Sequence, residues 1–283
     1  MTTPIDFGHD TARAQAAVKV AERRKLPVPQ AIYDTAGMWQ VVMDAAHARV
    51  PDKPGRDDVP ATAEELAALI EERAHQHRIA AALRYVSADF KEPISSRYNQ
   101  LVREHVPGWI AGLQTDFLAL TKKLTAQEKK LPANLDRERL DWRDPKVTGP
   151  WEMAESAAIA LDQLVADRQI MARAANQDLG RDADLWAVAK LAKEPDNDAV
   201  FGHQLRDHVG PAIREVKELR HQPVSRWLYL ARSPHLELSL AAPREVKQRQ
   251  QVMDRWHDAV QIVMGSGLSH QQAKQAVTTA LQG

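Results

Sequence analysis

Apolar residues recur at spacings of three and four along most of this chain, and glycine and proline fall mainly between the stretches that carry them. A helix turns once in about 3.6 residues, so helices gather such positions onto one face. The pattern calls for an all-α fold, a multi-helix bundle of about eight to ten helices in one body or in two packed helical subdomains.

The breaks between stretches set the elements. A first helix is expected over 11–26, with Asp10 as N-cap and Pro27 as its stop. A second opens with Pro29 in its first turn and carries Ile32, Ala36, Trp39, Met43 and Ala46 on one face. The prolines and glycine of 50–60 read as a linker or surface loop. Thr62 and Glu65 form a capping box ahead of a long helix to Phe90, with Leu66, Leu69, Ile70, His77, Ala80 and Leu83 on its stripe, and Pro93 starts the next helix. After Pro107, Ile110, Leu113, Phe117, Leu120 and Leu124 make a heptad seam, too short for a free coiled coil and suited to an internal contact.

The segment 132–149 loses the periodicity and reads as a linker between an N-terminal helical region, 1–131, and a C-terminal one, 150–283. The latter should begin with an Ala-rich helix from Pro150 to Leu179 closed by Gly180, followed by shorter helices over 185–193, 199–209 and 211–222. Leu236, Leu238 and Leu240 alternate with a period of two, but a lone strand has no partner, so a turn of helix or an extended arm is expected there. Pro243 opens the last long helix, where Val246, Met253, Trp256, Val260 and Val263 keep heptad spacing and Arg249 stands in the gap.

Charge and cysteine usage narrow the chemistry. The 38 basic residues balance the 38 acidic ones, so nucleic acid or an acidic membrane would have to be bound by a local patch. The absence of cysteine excludes disulfides, thiolate nucleophiles and Cys-based metal sites, and fits a reducing compartment. No apolar run approaches the roughly 20 residues of a membrane span, and the first residues lack the layout of a signal peptide. A cytoplasmic protein without a membrane partner is expected, virion-associated if the Ala, Arg and Asp bias reflects a phage.

The stretch 265–277 fits the order of a helix-turn-helix, with Ser269 opening a second helix that presents His270, Gln271 and Lys274. The plainer reading makes Gly265 or Gly267 a left-handed C-cap and Ser269 the N-cap of a short terminal helix. With Met264 and Gly265 ending an apolar helix, the stretch also resembles the first two helices of ubiquitin-associated-type modules, without a third. Arg23, Arg24 and Lys25 form a second basic candidate for nucleic acid, at a helix C-terminus where cations are favoured in any case.

Two Glu-x-x-His units, Glu72 with His75 and Glu218 with His221, could each hold one ion. Glu22 and Glu155 or Glu152 would complete the order used by di-iron bundles. Glu152 with Glu155 also resembles one acidic pair of helical nucleotide pyrophosphohydrolases, whose second pair does not follow. Arg73, His77 and Arg78 crowd the first unit with positive charge. Of the seven tryptophans, Trp39, Trp186, Trp227 and Trp256 sit in apolar stripes as core residues. Trp109, Trp142 and Trp151 lie beside breaks, where a half-exposed indole could anchor a partner. The leading expectation is a non-enzymatic structural or interaction protein without cofactor, binding copies of itself or a protein partner, as a phage or mobile-element assembly component would. A nucleic-acid-binding protein is the alternative, and a carboxylate and histidine metalloenzyme the second.

Overall fold

The periodic stretches fold as expected into an all-α architecture. The computed structural model of the chain describes residues 11–50, 52–135, 139–177, 180, 182–265 and 267–282, which carry eleven α-helices and a single two-stranded sheet. Asp10 and Leu179, the expected ends of two helices, lie outside the described residues. The chain divides into two compact units, 1–105 and 106–283.

The first unit holds α1 (Ala12–Arg23), α2 (Gln30–Ala46) and most of α3 (Ala63–Gly112). α1 ends in a Schellman turn: Lys25 adopts φ 56°, Leu26 donates to the Ala21 carbonyl and Lys25 to that of Glu22. The Tyr33 hydroxyl on α2 donates to Glu22 on α1 at 2.8 Å. The loop after α2 is tied to α3 by Arg84, which donates twice to the Ala48 carbonyl, and by Arg73, which donates to that of Asp52. The Thr62 hydroxyl accepts from the Glu65 amide and starts α3 as expected. The expected break at Pro93 is absent, and α3 runs through both Pro93 and Pro107 for 50 residues. Each proline removes one amide donor and crowds the carbonyl four residues back. Pro93, Pro107 and those residues, Asp89 and Arg103, are all exposed, where water can replace the missing donor.

In the second unit α4 (Gln114–Glu128), α5 (Pro145–Ala174) and α9 (Pro223–Arg232) pack on one another. Ile110, Leu113, Phe117 and Leu124 of the heptad seam are buried, and Phe117 meets the Trp227 ring edge-on at 6.4 Å between centroids. The Asp144 side chain caps α5 by accepting from the Lys146 amide at 2.8 Å, so that helix begins before Pro150. Residues 145–149 of the expected linker are thus the first turn of α5, a helix that packs on α4 within this unit. α5 is closed by Asn176 at φ 52°, with Gln177 donating to the Ala172 carbonyl, and not by Gly180.

The short helices differ most from expectation. Over 185–193 the chain forms α6 (Ala183–Trp186) and then strand β1 (Ala189–Leu191). β1 pairs antiparallel with β2 (Leu236–Leu238), so the period-two leucines do have a partner. The ladder continues past the strands, Ser239 donating to the Val188 carbonyl and Ala241 to that of Ala187. α7 (Asn197–Phe201) stops at His203, φ 55°, so 199–209 is not one helix. A wide turn over Leu205–Val209 follows. Gly210, where a Cβ would stand 2.7 Å from the Leu205 carbonyl, and Pro211, which donates nothing to Asp207, account for that widening.

α8 (Gly210–Glu218), a 3₁₀ turn (Leu219–His221), α10 (Pro243–Gly265) and α11 (His270–Gln282) complete the unit. Arg249, in the gap of the α10 seam, donates to the carbonyls of Trp186, Ala189 and Ser239, and the fully buried Arg168 donates to that of Ala241. The two arginines fasten the sheet to α5 and α10. Trp39, Trp186, Trp227 and Trp256 are buried, as their stripes imply.

Candidate functional site

Ser269 is engaged in folding. Its hydroxyl accepts from the Gln272 amide at 3.4 Å, and the Gln272 side chain accepts from the Ser269 amide at 3.1 Å, a reciprocal capping box. α11 docks through Ala273 and Val277 on α10 and α7, with Asn197 donating to Thr278 and His270 resting on the Phe201 ring. Gln271 and Lys274 point outward as exposed residues. Neither Gly265 nor Gly267 has the expected left-handed φ; Gly180 is the positive-φ glycine among the described residues. Arg23, Arg24 and Lys25 fall at the Schellman close of α1, where the helix dipole favours them.

The two Glu-x-x-His units lie in different units of the chain. Glu72 and His75 are exposed on α3, and Glu72 accepts from Gln76 at 3.0 Å. Glu218 ends α8 while His221 sits on the following 3₁₀ turn, its ring nitrogen accepting from Arg220 at 2.9 Å. Among the described residues no group of three or more His, Asp or Glu gathers as metal ligands do.

Glu155 and His221 do line one open cleft of the second unit, about 900 Å³, with Trp151, Glu215 and Tyr229. Burial, and secondarily Glu215, pushes the Tyr229 hydroxyl above its ordinary value. Arg232 at its edge is fully engaged, pairing with Glu128 and donating to the carbonyls of Glu128, Leu131 and Ala133. That arginine closes the end of α4.

Two of the three candidate anchor tryptophans are not half-exposed. Trp109 and Trp151 are 2 % and 3 % exposed, because the prolines beside them lie inside α3 and α5 and do not end a helix there. Trp142 is 40 % exposed and stands edge-on against Trp151, 5.3 Å between centroids.

The exposed apolar surface is concentrated instead on α3. Of the stripe read from sequence Ala80 is buried, whereas Leu66, Ile70 and Leu83 are exposed. Ile79, Leu83, Val86 and Phe90, at 46, 43, 49 and 53 % exposure, follow one another at spacings of four, three and four. At about 100° per residue those four lie within about 60° around the helix. Buried Ala80, Ser87 and Tyr98 occupy another face. The same spacing stands in the sequence, where Leu83 falls both on this row and three residues after Ala80 of the neighbouring face.

No protein-family model, curated protein or solved structure matches this chain. No helix among the described residues is long and apolar enough to cross a membrane.

Proposed function

We propose that this chain is a non-enzymatic helical interaction protein that works by self-association or by binding a protein partner, as an assembly component does. One observation carries the reading: a continuous apolar seam, Ile79, Leu83, Val86 and Phe90, lies open to solvent on a helix held in place by Arg73 and Arg84. Scattered apolar side chains are ordinary on a surface, whereas a contiguous row at heptad spacing is the form of a helix-contact face. The nucleic-acid reading has less support, since Ser269 and Gln272 are engaged in a cap and His270 rests on Phe201.

The test is Leu83→Asp with Val86→Asp. Both side chains are half in water, so stability should change by no more than about 0.5 kcal/mol. Association, read by light scattering or against an identified partner, should be lost. Association that persists in the folded double variant would sink the proposal.

A further inference from the structure

The seam is symmetric in charge as well as in spacing. Seven residues before Ile79 stands Glu72, and seven after Phe90 stands Arg97, both exposed. Seven residues are about two helical turns, so both charges fall on the azimuth of the seam. Taken about its midpoint, between Leu83 and Val86, the row reads the same in both directions: Ile79 answers Phe90, Leu83 answers Val86 and Glu72 answers Arg97.

We infer that the occupant of this face is a second copy of the chain, laid antiparallel along α3. The inference rests on reading the seam as a contact face. A two-fold axis through the midpoint sets Ile79 of each copy against Phe90 of the other and closes both ends with a Glu72–Arg97 pair. Gln76 and His75 meet the partner's Pro93 and Ile94, which bring no like charge. A parallel pair would oppose Glu72 to Glu72 and Arg97 to Arg97, and like charges across an interface disfavour that register. The Glu72 carboxylate accepts from Gln76 one turn on, which holds it beside the row. The contact runs over 72–97, about 38 Å of helix, in the first unit.

The chain contains no cysteine, so introduced thiols report uniquely. In an antiparallel pair Ile79→Cys chains mixed with Phe90→Cys chains form a mixed disulfide under mild oxidation. Ile79→Cys alone does not, because its two copies lie about 16 Å apart along the axis, beyond disulfide reach. Light scattering should find a dimer whose dissociation constant rises about tenfold in Glu72→Arg and returns in Glu72→Arg with Arg97→Glu. Self-crosslinking of Ile79→Cys, indifference to the charge reversal, or a monomer at every concentration overturns the inference. Labelling of a Leu83→Cys thiol separates the two failures. A monomer with a reactive thiol removes the second copy and leaves the contact face standing; a monomer whose thiol reacts only on unfolding removes both.

Discussion

The indole N–H of Trp227 donates to a carboxylate oxygen of Asp162 at 2.7 Å, and the Arg226 guanidinium pairs with the same oxygen. Trp227 is fully buried, so its one donor has to find a partner inside the protein. Asp162 on α5 supplies it and thereby ties α9 to α5.

Asp162→Ala should therefore cost about 1–3 kcal/mol, the range for leaving a buried donor unsatisfied, while Asp162→Asn, which keeps an acceptor oxygen, should cost roughly half. Urea midpoints at unchanged slope measure this. Equal losses for the two variants would mean that the carboxylate charge on Arg226 matters and the indole bond does not.

Arg249→Lys should lower stability by about 2 kcal/mol, because one ammonium cannot serve both the three carbonyls of Trp186, Ala189 and Ser239, which one guanidinium nitrogen reaches, and the Ser239 hydroxyl, which the other reaches. Burial pulls the guanidinium below its ordinary pKa, as expected for a cation drawn in among carbonyls. Hydrogen exchange should rise first at Ser239 and Ala241, whose amides form the extended ladder. A variant with unchanged exchange at those two amides would show that the arginine does not hold the sheet.

What could be read in advance follows from the range of the interactions. The seam of Ile110, Leu113, Phe117 and Leu124 was legible because a helix displays its buried face in local spacing. β1 was not: three residues carry too little pattern, and its partner lies 47 positions away at the register of Lys190 with Glu237. The uninterrupted path of α3 was hidden because a proline reads as a break, while its tolerance depends on which carbonyl it exposes. Heptad spacing along 79–90 was visible, but whether other residues cover it is set by the whole fold. Arg249 gave a usable signal, a charge interrupting an apolar seam, which here marks a buried hub for carbonyls.

Burial pushes the Tyr98 hydroxyl up to about 12, with Glu22 adding to the shift. The sign follows directly: an acid whose folded pKa exceeds its unfolded value of 10.0 keeps its full contribution below pH 10, and that contribution is lost as pH rises from 10 toward 12. Tyrosinate absorbance should show ionisation extending toward pH 12, a late component that Tyr98→Phe removes. The same variant should flatten the fall in stability over that window. A Tyr98 that ionises at the ordinary value of 10.0 would contradict the buried placement.

Ser269→Ala and Lys274→Ala separate the two readings of the C-terminal helix pair. If Ser269 only caps α11, its loss costs about 1 kcal/mol, a typical N-cap penalty. The cost should appear as faster exchange at Gln272, whose amide the hydroxyl accepts. Lys274→Ala, at an exposed position, should then change nothing. If α11 instead enters a groove, Lys274→Ala weakens retention on duplex DNA at low salt and reduces the salt slope by about 1, whatever the sequence of the duplex. The engagement of Gln272 in the cap and of His270 on Phe201 leaves Gln271, Lys274 and Gln275 as the outward polar residues of the first two turns, a small set for both positioning and reading. The expected result is loss of local stability in Ser269→Ala, no loss in Lys274→Ala, and no DNA retention by either variant or the parent.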